Sequence, residues 1–227
     1  MEDAFTEVYI KQALREEVWR RLTAKGVVRF PGAYGRIPNF VGAEEAARRA
    51  MDLPEVKSAK VVFVNPESPQ YPLRTNLLLA GKILILNPSK SGGSRTYLLL
   101  DPENLKPHPL RLATLKGALH YGKRLALEEL PEIDLFVTGC IGVTPRGERL
   151  GREGDLTEQQ YALLLWAGRI SPKTPVLTTV HELQILPRIP AEKHELRIDL
   201  IVTPERVIRT GVSRETLTLT PSLLKGD

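Results

Sequence analysis

The sequence predicts an α/β protein whose mostly parallel sheet is covered by helices on both faces. Three observations lead there. Short apolar runs alternate with helix-patterned segments along the chain. Most of these runs, such as VVFV at 61–64 and ILIL at 83–86, are apolar throughout, as strands buried on both faces are. A chain of 227 residues, 42% hydrophobic and 26% charged, can also bury a sizeable core without staples.

Each element has its own local reason. Residues 6–25 are expected as a helix, because Val8, Ile10, Ala13, Leu14, Val18 and Leu22 recur at spacings of three and four, and GVVRFPG ends the pattern. FPGAYGRIPNFVGA reads as a Pro- and Gly-framed loop, followed by a short helix in AEEAARRAMDL. AKVVFVNPESP is a strand and turn, LRTNLLLAG a helix with a Gly stop, and KILILNP a second strand ending in Asn-Pro. SKSGGSR is a loop before a strand at 97–100, and LATLKGALHYGKRL reads as one helix. IDLFVTGCIGV is a strand, LTEQQYALLLWAGR a helix and PVLTTV a strand. DLIVTPERVIRT holds two short strands around a Pro-Glu turn. Residues 1–210 are expected as one domain, with a polar tail at 211–227.

Composition narrows the function classes. No apolar run approaches the ~20 residues of a membrane span, and the charged N-terminus lacks the apolar core of a secretion signal. A cytoplasmic protein is expected. The single cysteine, Cys140, excludes an internal disulfide and reads as a small buried hydrophobe. The formal charge of +5 suits anionic ligands such as nucleotides, polyglutamates or nucleic acid, although the signs are interspersed and no block of like charge stands out. Abundant Arg, Glu and Pro with two Met lean towards a thermophile. His108, His120, His181 and His194 show no metal-binding spacing. Trp19 and Trp166 lie on apolar helical faces and are expected in the core.

The stretch GERLGREGD, Gly147–Asp155, stands between the end of a strand and the start of a helix. Parallel sheets bind ligands beyond the carboxyl ends of their strands, and helix N-termini attract phosphates. Arg149 and Arg152 offer forked donors for phosphate oxygens, and glycines allow close backbone approach. The other reading is a capped helix start, since DLTE fits a capping box and Arg149 can pair with Glu148 or Glu153 to brace the turn. Spacing alone leaves both readings open. It does exclude a P-loop and a dinucleotide fingerprint.

RGERLGREGDLTEQQYALL resembles the nucleotide loop of 5-formyltetrahydrofolate cyclo-ligases, G-x-R-x-G-x-G-x-G-x-x-D. KQALREEVW is similar to that family's K-x-x-L-R helix, and TTVHELQILPRIPAEKHELRIDLIVTPERVI to its C-terminal block. RIPNFVGA resembles the branch of methenyltetrahydrofolate synthetase domain-containing proteins. The resemblance implies a three-layer α/β/α fold of the NagB/RpiA/CoA-transferase type and an ATP- and Mg²⁺-dependent closure of 5-formyltetrahydrofolate to 5,10-methenyltetrahydrofolate. It implies that Lys11, Arg15, Gly147, Arg149, Gly151, Arg152 and Gly154 meet ATP, with Arg149 the residue on which catalysis depends. Arg36, Asn39 and Phe40 are candidates for the folate, with Phe40 equally readable as an anchor of its own loop.

The loop departs from the family pattern in its second half. Glu153 and Asp155 stand at the last two of the pattern's four glycine positions, Glu158 stands at the Asp position, and Gly154 is a shifted glycine. A carboxylate ~4 Å from a phosphate charge costs about 1 kcal/mol in water and about 4 kcal/mol at an effective dielectric near 20. Either Glu153, Asp155 and Glu158 hold Mg²⁺, or the loop marks a nucleotide site that has lost its ligand. Two functions follow: a cyclo-ligase with a degenerate loop, or a non-catalytic nucleotide- or RNA-binding protein on the same fold, although no RNA-binding motif is present.

Overall fold

A computed structural model describes residues 2–88, 96–191 and 195–213; the expected loop at 89–95, His194 and the tail beyond Ser213 lie outside them. In chain order, α1 (Glu2–Ala24), α2 (Ala43–Met51) and α3 (Pro54–Ser58) precede β1 (Val61–Val64). Then come α4 (Tyr71–Leu79), β2 (Ile83–Leu86), β3 (Thr96–Leu100), α5 (Pro109–Leu112), α6 (Leu115–Tyr121) and β4 (Lys123–Ala126). The rest is β5 (Leu135–Val137), β6 (Gly142–Val143), β7 (Arg149–Leu150), α7 (Thr157–Trp166), β8 (Val176–Thr179), β9 (Leu200–Val202) and β10 (Val207–Arg209).

Eight strands form one sheet in the order β10-β9-β8-β5-β1-β2-β3-β4. The pairings from β9 through β8, β5 and β1 to β2 are parallel. Antiparallel β10 closes one edge, and the antiparallel pair β3–β4 the other. The apolar runs are continuous because the sheet is buried on both sides. Val62, Val64, Leu84 and Leu86 pack with Ala47, Ala50, Leu73, Leu77 and Ala118 from α2, α4 and α6. Val61, Phe63, Ile85 and Phe136 pack with Tyr161 and Leu164 of α7. Each such side chain contributes about 1.5–3 kcal/mol when fully buried. Asp134 accepts from the Lys60 and Val61 amides at the amino ends of β5 and β1, and Asp199 accepts from Val176 at those of β9 and β8. Asp199 therefore serves the sheet, at the end away from any site beyond the strand carboxyl termini.

Four expectations need correction. The 112–125 segment is the end of α5, the short helix α6 and most of strand β4. Thr114 caps α6 by accepting from the Gly117 amide, Gly122 leaves the helix in extended geometry, and Lys123–Ala126 pairs with β3 along the sheet edge. The residues K, R, L and A favour helix by propensity, but pairing with β3 wins. IDLFVTGCIGV is not one strand: β5 stops at Val137, and β6 turns back to pair with β7. The apolar stripe of α1 is buried only in its second half, where Val18, Trp19 and Leu22 pack on Ile141, Leu150 and Leu186, whereas Val8 and Ile10 are exposed. Trp166 is 59% exposed, because α7 inserts Tyr161 and Leu164 and ends with its last side chain outward.

Candidate functional site

The chain leaves β1 for β2 on one side and returns to β5 on the other, so the strand order reverses at β1. A crevice is expected at the carboxyl ends of these strands. There Asn65 Nδ2 donates to Thr138 Oγ1 at 3.0 Å and to Thr157 Oγ1 at 2.9 Å, joining the ends of β1 and β5 to the first turn of α7. Asn87, at the end of β2, donates to Gln160 Oε1 at 2.7 Å, which also accepts from Tyr97 at 2.9 Å. Between these amides lies a polar recess of about 50 Å³, lined by Asn65, Glu67, Asn87, Arg152, Asp155 and Gln160. Glu67 Oε2 is buried with no hydrogen-bond partner among the described residues, and burial, reinforced by nearby Asp155, pushes the Glu67 carboxyl above its usual range. Arg74 holds this rim from behind. Its guanidinium donates to the carbonyls of Asn65, Glu67 and Ala113, each at 2.9 Å, and burial lowers its pKa to about 10.

Across the loop that follows β7 lies a larger cleft of about 540 Å³, walled by α1 on one side and Leu150–Asp155 on the other. This places the helix carrying Lys11 and Arg15 beside the Gly/Arg loop. Arg15 Nε donates to the Gly151 carbonyl at 2.9 Å. Lys11 reaches Glu195 at 2.5 Å and Glu7 at 2.6 Å; burial alone would lower its pKa, but these two carboxylates raise it. Arg152 and Glu153 are exposed on the rim. Arg152 and Asp155 line both the recess and the cleft, so the loop is the partition between them.

Arg149 does not point freely into the cleft. Its side chain is 2% exposed. Nε and Nη2 donate to the Gly139 carbonyl at 3.1 and 2.8 Å, Nη2 to Asp155 Oδ2 at 2.5 Å, and Nη1 to Glu158 Oε1 at 3.0 Å. Burial works against the Arg149 charge, but the two carboxylates hold it strongly protonated. Burial would also raise the Asp155 carboxyl, yet Arg149 and the Thr157 hydrogen bonds hold it below the usual range. Glu158 goes the other way, lifted mainly by burial. The partners are Asp155 and Glu158, not Glu148 or Glu153, because Glu148 turns to Arg197 at 2.9 Å and Glu153 lies outward.

Asp155 also accepts from the Thr157 amide at 2.9 Å and the Thr157 hydroxyl at 2.7 Å. One carboxylate thus meets both an arginine and a helix N-terminus, the two groups a phosphate would seek. It is an anion supplied by the chain itself. Gly151 makes room for the pair: a Cβ there would lie 2.6 Å from Asp155 Oδ2 and 2.7 Å from Arg149 Nη1.

Other expected site residues separate from this cluster. Gly147 sits in the β6–β7 turn at φ 87°, its N–H bonded to the Thr144 carbonyl, outside the cleft; an added Cβ would meet the Ile198 carbonyl at 2.4 Å. It shapes the hairpin instead of lining a phosphate loop. Gly154, at φ 65°, does line the cleft. Phe40 is fully buried beside Ala43 and Ala46 with its ring edge-on to His181, so it anchors its loop and offers no face to a ligand. Asn39 ties the same loop through the Phe30 carbonyl at 3.0 Å, and Arg36 is exposed while its carbonyl accepts from Trp19. Cys140 is buried, which pushes its thiol up to about 11 and leaves it without nucleophile chemistry. Among the described residues no group of three or more His, Cys, Asp or Glu side chains is placed to hold a metal ion. Glu153, Asp155 and Glu158 therefore do not form a ready metal site, since two of them are committed to Arg149. Asn65, Glu67, Asn87 and Gln160 were not singled out from the sequence, although β1 and β2 both end in Asn-Pro and lie side by side.

A sequence profile of the 5-formyltetrahydrofolate cyclo-ligase family matches residues 8–204. The chain is 34% identical over 208 residues to a Bos taurus methenyltetrahydrofolate synthase domain-containing protein, covering 90% of this chain and 55% of that one. It therefore spans about half the length of such curated relatives. It is 28% identical over 173 residues to 5-formyltetrahydrofolate cyclo-ligase of Escherichia coli (strain K12), covering 72% and 88%. An NMR structure of Aquifex aeolicus 5,10-methenyltetrahydrofolate synthetase superimposes with a TM-score of 0.56 at 20% identity, covering 91% and 95%, which shows a shared fold.

Proposed function

The chain belongs to the 5-formyltetrahydrofolate cyclo-ligase family, and from that premise we propose that it is an ATP-dependent cyclo-ligase-like protein acting on 5-formyltetrahydrofolate or a related reduced pterin. The observation that carries the reading is the meeting of α1 with the Gly/Arg loop in one cleft. Lys11 and Arg15 come from the first sequence block and Gly151, Arg152 and Gly154 from the second, and the cleft lies next to the polar recess at the sheet's reversal point.

The residues fit a triphosphate in part. Lys11, Arg15, Arg149 and Arg152 surround the cleft, but Glu153, Asp155, Glu158 and Glu195 balance them. Phosphate gains Arg149 and the α7 N-terminus only when Asp155 leaves them. Mg²⁺ fits only as a shared ligand. It needs one or two carboxylates besides phosphate oxygens and water, and exposed Glu153 is free for that, with Asp155 joining once displaced. When bound, the nucleotide would supply the activating phosphoryl group. The chain's own part is positional and electrostatic: Lys11, Arg15 and Arg152 hold negative charge, while the hydrogen-bonded Asn65, Asn87 and Gln160 brace the strand ends behind the loop.

The charge balance of the cleft favours one rival, a nucleotide-binding protein that does not catalyse. Incubating the protein with 5-formyltetrahydrofolate and Mg·ATP separates the two. Formation of the methenyl product, abolished by omitting ATP, is expected. Nucleotide binding by calorimetry without product under any metal tested would replace the enzyme reading with the rival.

A further inference from the structure

Between Asn104 and Leu127 the chain carries Lys106, Arg111, Lys116, Lys123 and Arg124, with His108 and His120, and no aspartate or glutamate. The net charge of the whole chain is +5. The segment carries as much net charge as the whole chain, and Asp101, Glu103, Glu128 and Glu129 bracket it.

The fold brings Arg111 and Lys116 to one cleft and Arg124, paired with Leu98, to the same side of the sheet; Lys123, paired with Leu99, is on the α7 side. All five lysines and arginines are exposed, and none makes an ion pair with a described residue. Elsewhere Arg29 pairs with Glu44, Arg48 with Glu45, Arg206 with Glu182 and Arg209 with Glu55, while Arg20, Arg36, Arg152 and Arg188 are exposed and, like this segment's cations, unpaired among the described residues. Lys116 and His120 lie one turn apart on the outer face of α6, whose Gly117 and Ala118 face inward. With Arg111 and Tyr121 they line a cleft of about 730 Å³. The Arg111 guanidinium stands 4.9 Å from the centre of the Tyr121 ring, and the His120 ring meets Tyr121 edge-on at 4.4 Å. Leu110 and Leu119 are exposed beside them. Lysine on an edge strand also discourages pairing with another chain. That accounts for Lys123 and Arg124 on β4 but not for Arg111 and Lys116 on helices.

We propose that this surface, built on Arg111, Lys116, His120 and Tyr121 with Arg124 beside them, binds single-stranded nucleic acid. Unpaired cations along a groove track a phosphate backbone, and flat guanidinium, imidazole and phenol groups give bases something to stack on. The concave shape suits a flexible strand better than a flat bilayer. α5 and α6, of 4 and 7 residues, are too short to read a duplex groove from within. The proposal is independent of the reaction assigned to the cleft beside α1.

The test is fluorescence anisotropy of a labelled single-stranded RNA of mixed sequence, titrated with the full chain over a range of salt. Each phosphate contact adds about −0.7 to the slope of log affinity against log salt. The variant Arg111→Gln/Lys116→Gln/Arg124→Gln should flatten the slope by about 2 and weaken binding roughly tenfold or more at low salt. A control of equal charge, Arg29→Gln/Lys57→Gln/Arg188→Gln, should bind as the parent does. Tyr121→Leu, which keeps the apolar packing, should weaken binding without changing the slope. If the triple variant melts early, Lys116→Gln and Arg124→Gln singly carry the same comparison. An unchanged slope in the patch variants, or an equal loss in the control, overturns the proposal. So does equally effective displacement by phosphatidylserine vesicles or polyglutamate, which would mark a general polyanion surface.

Discussion

Arg149 shows how the residue scale redirects a motif. Its type and spacing match the family loop, yet its guanidinium is buried between Asp155, Glu158 and the Gly139 carbonyl. Removing one member of a buried charge cluster leaves the others uncompensated, at a cost of about 3–5 kcal/mol. Arg149→Ala is therefore expected to lose stability on that scale in urea denaturation; a loss below ~1 kcal/mol would show that the carboxylates rearrange freely. Asp155→Asn keeps the shape and removes the competing charge. ATP affinity should then rise about tenfold, or ~1.4 kcal/mol, and unchanged affinity in calorimetry would separate Asp155 from the phosphate position. Glu67 gives a pH signature. Its folded pKa is raised by burial, so its favourable contribution is complete below the unfolded value near 4.3 and is lost as pH rises through the folded value. Glu67→Gln should accordingly be more stable than the parent at neutral pH, with the advantage gone below about pH 4. A difference independent of pH would mean the carboxyl is solvated.

At the scale of elements, the stretch Gly147–Asp155 divides into a hairpin strand and a true loop, and its glycines divide with it. Gly147→Ala meets both a positive φ and the Ile198 carbonyl, whereas Gly154→Ala meets only a positive φ, with nothing within 4 Å of the new Cβ. The left-handed penalty alone is about 1–2 kcal/mol. Melting should therefore fall further for Gly147→Ala than for Gly154→Ala, and equal losses would remove the steric argument. The same contrast explains what could be read in advance. Helices and buried parallel strands carry a periodicity, so α2, α4, α7, β1, β2 and β8 were legible. The edge strand β4 was not, because its one buried residue, Leu125, leaves no pattern and only its partner β3 makes it a strand. The β6–β7 pair was hidden for a related reason: its two-residue strands are defined by each other.

On the scale of the whole molecule, the doubly covered sheet and the juxtaposition of α1 with the loop were legible, because apolar runs and ordered blocks survive without knowledge of contacts. The recess at the reversal of strand order was not, since Asn65, Glu67, Asn87 and Gln160 come from three separate elements and their neighbours and acquire meaning only from β1 lying between β5 and β2. That topology also ranks the parts by stability. β1 and β5 are flanked on both sides by paired strands, while the first half of α1 rests on few buried side chains, with Val8 64% and Tyr9 72% exposed. Backbone amides should exchange with solvent slowest in β1 and β5 and fastest in α1 before Leu14. A nucleotide in the cleft would tie Lys11 and Arg15 to the loop, so Mg·ATP should slow exchange in α1 and at 151–156 while leaving α5, α6 and β4 unchanged. Single-stranded RNA should do the reverse, protecting α5, α6 and β4. Two separate footprints would show two independent anion surfaces on one fold. One common footprint would mean that RNA and nucleotide compete for the same cleft, and the basic surface would then be only a solvated face.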